Sequence, residues 1–163
     1  MSKLKYVDTA ITFSEVPDEI TLCFNIANCP HKCKGCHSEY LQMDIGEFLT
    51  KEEVERHLGY HNGITCVCFL GGDSNLSELS ELADVVHEHG LKAAWYTGLD
   101  FHLNSMQEIA DRPTAQKFDY VKTGPYIESL GPLNKKTTNQ RMYKKISDHP
   151  ILFEDITNRF WKN

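Results

Sequence analysis

No apolar run in this 163-residue chain approaches the ~20 residues that a membrane span needs. The opening residues, Met1-Ser2-Lys3-Leu4-Lys5-Tyr6, contain no apolar signal core, so a cytoplasmic location is expected. Excess positive charge is missing as well. The net charge is −6 and the sequence pI about 5.7, which argues against broad binding to nucleic acid or membrane surfaces. Internal repeats, low-complexity tracts and obvious linkers are absent. The length then suits a single domain, 1–163, built on one core. Apolar residues make up 40% of the chain, enough to fold without disulfides or a metal staple.

Cysteine, by contrast, is plentiful. There are six, and three fall within eight residues. With no export signal, clustered thiols in a reducing compartment point to metal or redox chemistry rather than to disulfides. Cys29-Pro30-His31-Lys32-Cys33-Lys34-Gly35-Cys36-His37 has the spacing Cys-x3-Cys-x2-Cys. Thiolates bind soft iron well, and iron–sulfur clusters usually take four of them. This loop offers three. On a four-iron cluster that leaves one iron open to a reactant, an arrangement suited to an enzyme. The competing reading is a structural zinc site, which needs a fourth ligand from His31, His37 or a distant cysteine. Lys32 and Lys34 are either solvated loop charges or counter-charges to a thiolate-bound cluster.

The rest of the chain alternates strand and helix. Ile20–Ile26 reads as a strand, with an earlier one over Ala10–Phe13. Thr50-Lys51-Glu52-Glu53 is a capping-box pattern that starts a helix running to about Gly59. Ile64–Leu70 is a second strong strand, ended by Gly71-Gly72-Asp73. Leu76, Leu79, Leu82 or Ala83, and Val86 recur at helical spacing up to the stop at Gly90. Further strands are expected at Lys92–Thr97, Phe118–Lys122 and Ile151–Phe153, with a short helix over Ser105–Ala110. Near-continuous apolar strands alternating with helices imply parallel pairing with right-handed crossovers. A full eight-fold barrel takes about 250 residues. The expected architecture is therefore α/β: an open partial (β/α) barrel of about five to six mostly parallel strands. Ligands then belong at the carboxyl ends of the strands, where the cysteine loop and the Gly-Gly-acid turn fall. Two glycines let a backbone approach a ligand closely, and the acid beside them can accept hydrogen bonds from an ammonium group. Taken alone, such a turn is also an ordinary strand-to-helix connection.

In this order, a Cys-x3-Cys-x2-Cys loop followed by a strand-terminal Gly-Gly-acid turn resembles the radical S-adenosylmethionine superfamily. Within it, Cys29–His37 and Phe69–Asp73 resemble the activating proteins of anaerobic ribonucleoside-triphosphate reductase. Phe118-Asp119-Tyr120-Val121, Gly124-Pro125-Tyr126 and Asn139-Gln140-Arg141 are similar to later segments of that family. The resemblance covers roughly Val7 to Tyr143. It implies a 4Fe–4S cluster on Cys29, Cys33 and Cys36, with S-adenosylmethionine on the fourth iron. Gly35, Cys36 and His37 would border the cofactor, and Gly71, Gly72 and Asp73 would hold its ammonium group. The superfamily turn often carries Glu; Asp73 is one methylene shorter but keeps the acceptor. Lys122 would pair with the methionine carboxylate and Thr97 would touch ribose, although each is also readable as a solvated strand end, the reading preferred for Thr97. The implied activity is formation of a glycyl radical on the reductase. The implied partners are that reductase and an electron donor such as flavodoxin or ferredoxin. The alternatives are a radical enzyme acting on another glycyl-radical protein or a small molecule, and a non-enzymatic zinc module.

The remaining candidates are read conservatively. Cys66 and Cys68 share one face of a strand and are expected in the core, as is Cys23. His57 and His61 are expected at the surface. Lys135, Lys136, Arg141, Lys144 and Lys145 form a basic stretch, expected to be a solvated, mobile loop. Phe160 and Trp161 dock either on the core or on a partner.

Overall fold

The computed structural model describes residues 3–36, 38–103 and 112–161. Eight strands form one sheet: β1 (Lys5–Thr12), β2 (Thr21–Ile26), β3 (Glu47–Phe48), β4 (Cys66–Leu70), β5 (Lys92–Tyr96), β6 (Tyr120–Thr123), β7 (Arg141–Asp148) and β8 (Ile151–Asp155). Their order is β3-β1-β2-β4-β5-β6-β7-β8. β2, β4, β5 and β6 run parallel at the centre, and the pairs on either side are antiparallel. The sheet therefore has more strands than the five to six expected, and parallel pairing is confined to its middle.

Among the described residues, one α-helix lies in each central crossover: α1 (Lys51–Tyr60) between β2 and β4, α2 (Leu76–Glu88) between β4 and β5, and a short one, Pro113–Gln116, between β5 and β6. In α1, the Thr50 hydroxyl accepts from the Glu53 N–H at 3.1 Å, as the capping-box pattern predicts. In α2, Asn75 does the same for Glu78 at 3.2 Å. Leu79, Leu82, Ala83, Val85 and Val86 of α2 are buried. They pack with one face of the sheet: Leu22, Phe24, Val67, Phe69, Ala93, Trp95 and Val121. Phe24 and Phe69 stack there with centroids 5.8 Å apart. The alternate residues point the other way. Cys23, Cys66, Cys68, Ala94, Tyr120 and Met142 form a second cluster, covered by Val16 and Ile156. The three cysteines outside the loop are thus core residues.

Several expectations need correction. β1 begins at Lys5, well before Ala10, and excludes Phe13. Its exposed positions blur the apolar alternation, and backbone pairing to β2 and β3 holds it in place. The basic stretch expected as a loop is, from Arg141 onward, strand β7. Met142 and Tyr143 are buried on opposite faces. Lys144 and Lys145 place their ammonium groups 6.0 Å from the Tyr120 ring and 5.9 Å from the Phe153 ring. Their stems cover aromatic surface, so their charge did not mark a loop. His57 is half-buried rather than superficial. It lies 2.9 Å from the Tyr6 hydroxyl and edge-on to Phe24. The expected helix over Ser105–Ala110 lies outside the described residues.

Candidate metal centre

The cysteine loop leaves β2 at its carboxyl end. Backbone bonds pin its start: the N–H of Asn28 to the Met43 carbonyl at 3.1 Å, and that of Cys29 to the Leu41 carbonyl at 2.8 Å. A short turn follows, in which the Cys36 N–H reaches the Cys33 carbonyl at 3.2 Å. Cys29, Cys33 and Cys36 are each half-buried, and all three line one cavity of about 890 Å³. This volume lies within the range of cofactor sites. The ends of the central strands supply much of the remaining lining: Ile26 at the end of β2, Gly71 and Asp73 after β4, Tyr96, Thr97 and Gly98 at β5, and Lys122 on β6.

Asp73 carries the most informative geometry. Its side chain is 3% exposed. One oxygen, Oδ2, takes the His31 Nε2 at 2.6 Å, the Thr97 hydroxyl at 2.9 Å and the Gly98 N–H at 3.0 Å. The other, Oδ1, is buried with no hydrogen-bond partner among the described residues. A buried acceptor left empty beside a cavity suits an ammonium ligand, because an unfilled carboxylate oxygen costs stability until a donor arrives.

The glycine pair divides its work. Gly71 lines the cavity, and its carbonyl accepts from the Trp95 indole at 3.1 Å. Gly72 has φ near +97°, and a methyl there would stand 3.0 Å from a Leu79 methyl. It serves the close packing of α2 on the turn rather than the cavity. Gly35 is exposed and faces the Glu128 carboxylate. Thr97 is buried and holds Asp73, so it is not a solvated strand end. Lys122 is also buried. Its ammonium donates to the Gly124 carbonyl at 3.0 Å and lies 5.8 Å over the Tyr96 ring. His37 lies outside the described residues.

Electrostatics follow from this enclosure. Burial pulls the Lys122 ammonium down to about 8, against the opposing pull of Asp73 and the three loop thiols. Burial pushes the Cys29 thiol up; a backbone hydrogen bond from His31 works against it, and the Asp73 carboxylate and the other two thiols add to it. Iron would reverse that direction by binding the thiolate form.

The donor set, three thiols on one loop, has the chemistry of iron–sulfur ligands. Among the described residues, no three Cys, His, Asp or Glu side chains converge to hold one metal ion. A tetrahedral zinc would need four ligands gathered at about 2 Å. His31, one candidate for the fourth, is instead turned to Asp73.

Sequence reasoning missed part of the wall. The β1–β2 connection contributes Phe13, Glu15, Pro17 and Asp18, and the C-terminal turn contributes Arg159 and Phe160. Arg159 grips Asp18 with two bonds of 2.7 and 2.9 Å, joining these segments. Asn134 and Gln140 of the long connection before β7 also line the cavity. No spacing in the sequence marks such contacts, because they arise from segments far apart in the chain.

Three soft donors on one loop, opening on a cavity at the carboxyl edge of a mixed α/β sheet, define an iron–sulfur type of site. The model of the 4Fe–4S single cluster domain family matches residues 20–144, and the chain belongs to that family. Comparison with curated proteins finds no match, and neither does comparison with solved structures.

Proposed function

We propose that this iron–sulfur protein is a radical S-adenosylmethionine activase that installs a glycyl radical on anaerobic ribonucleoside-triphosphate reductase. The observation that carries the reading is the buried Asp73 Oδ1, without a partner among the described residues, on the wall of the cavity that three cluster-type thiols line. Cys29, Cys33 and Cys36 would hold three irons of a 4Fe–4S cluster and leave the fourth for the cofactor's amino and carboxylate groups. When bound, the cluster supplies one electron that splits S-adenosylmethionine into methionine and a 5′-deoxyadenosyl radical, which takes a hydrogen atom from a glycine Cα of the reductase.

The chain's own residues bind, orient and exclude water. Asp73 Oδ1 accepts from the methionine ammonium, while Thr97 and the Gly98 N–H fix that carboxylate from behind. Lys122 stands on the same wall and offers a cation to the methionine carboxylate. The Gly71 backbone lets the ligand approach closely. Phe13, Leu133 and Phe160 supply apolar wall that keeps solvent from the reacting groups. A one-electron carrier such as flavodoxin or ferredoxin would supply the electron.

Anaerobic reconstitution should give about four irons per chain and cleavage of S-adenosylmethionine that depends on the cluster. Mixing with the reductase should then give a glycyl radical signal. Stoichiometric zinc with no cleavage would sink the reading. Normal cleavage beside an inert reductase would redirect it to another radical substrate.

A further inference from the structure

The cysteine loop is tied to the strand ends through one side chain, and that tie has a role of its own. His31 lies between Cys29 and Cys33, and its Nε2 sits 2.6 Å from Asp73 Oδ2, 42 positions along the chain. Its ring packs on Gly98 so closely that a methyl there would stand 2.5 Å from Cδ2 and 2.8 Å from Cγ. A methyl at position 98 and the imidazole cannot share that space, so the ring keeps its place only beside glycine. The Gly98 N–H and the Thr97 hydroxyl converge on the same Asp73 oxygen.

A carboxylate offers roughly four acceptor positions over two oxygens. Here all three donors crowd one oxygen, and the other is buried with none among the described residues. Rotation of the carboxylate would break three bonds at once. The distribution is what holding Oδ1 in reserve requires. A purely structural staple has no reason to leave it empty.

We propose that His31 is a positioning residue: its Nε2–H donates to Asp73 Oδ2, locks the iron-binding loop to that carboxylate, and so reserves Oδ1 for the cationic group of the ligand. The identity of that group as the ammonium of S-adenosylmethionine rests on the function proposed above; the tether does not. Loop and cation seat are thereby set as one unit, and a change at His31 is felt at both.

The test compares the unmodified protein with His31→Ala, His31→Gln, Gly98→Ala and the double variant His31→Ala/Gly98→Ala. Two readouts are taken. One is equilibrium binding of S-adenosylmethionine to the reconstituted protein, with iron content measured alongside. The other is the rate at which iodoacetamide alkylates Cys29 and Cys33 in the iron-free chain, mapped by mass spectrometry. His31→Ala should raise the Kd about tenfold, as loss of a hydrogen bond to a charged group implies, and should speed alkylation several-fold. His31→Gln keeps an N–H at similar reach and should recover most of both. Gly98→Ala should reproduce His31→Ala by evicting the ring, and the double variant should add little. Unchanged alkylation in His31→Ala, glutamine no better than alanine, or additive effects in the double variant would overturn the proposal. If the unmodified protein binds no S-adenosylmethionine while alkylation responds as expected, the assigned ligand is wrong and the tether stands. If it binds tightly and no variant moves either readout, the tether is wrong and the function stands.

Discussion

At the scale of single residues, six cysteines separate into two kinds by where their strands leave them. Cys29, Cys33 and Cys36 line the cavity, whereas Cys23, Cys66 and Cys68 are enclosed in the second core cluster. Burial raises the thiol pKa of both Cys66 and Cys68, which keeps both protonated and unreactive. Cys33→Ala should therefore abolish cluster assembly, read as iron and sulfide content after reconstitution. Cys68→Ala should assemble normally and lose about 1 kcal/mol of stability in urea unfolding. A cluster-free Cys68→Ala protein would refute the core assignment. The loop thiols were legible because their spacing is local. His31 was legible only as an alternative zinc ligand, since its partner lies across the fold. Lys122 and Thr97 stood out as polar strand ends, but only the folded chain shows that both are buried.

At the scale of elements, α1, α2 and the central strands were readable from caps and periodicity. Of the flanking strands, β8 was legible at Ile151–Phe153 and β1 only over its second half, whereas β3 and β7 were not, because their stability comes from backbone pairing and, in β7, from lysine stems laid on rings. Asp119 shows what joins these elements. Its carboxylate bonds the Ala93 N–H of β5 at 2.8 Å and the His87 imidazole of α2 at 2.9 Å. Its carbonyl accepts from the Lys145 N–H of β7 at 2.7 Å. Burial alone would raise its pKa, yet the bonds from His87 and Ala93 outweigh it and the net shift is downward. A carboxyl lowered on folding stabilises the chain fully above its ordinary value near 4, and that contribution is lost as pH falls through the folded value. Urea midpoints should drop more steeply below about pH 4 in the unmodified protein than in Asp119→Asn. Parallel pH profiles would show that the carboxylate's charge contributes nothing.

For the whole molecule, the core and the metal loop are built from separate stretches. Neither core cluster takes a residue from the interval between Ile26 and Leu49, where the loop lies. The iron-free chain should therefore keep its native circular dichroism and unfold cooperatively, unlike small domains that depend on metal to fold. A disordered chain after chelation would contradict this. The closing of the cavity wall has an order in time. The Asp18–Arg159 bridge spans 141 positions, so during synthesis that side stays open until residue 159 has left the ribosome. Cys29, Cys33 and Cys36 are made long before then, and for most of translation they face a half-built site. Whatever delivers iron and sulfide meets its widest entrance on the nascent chain.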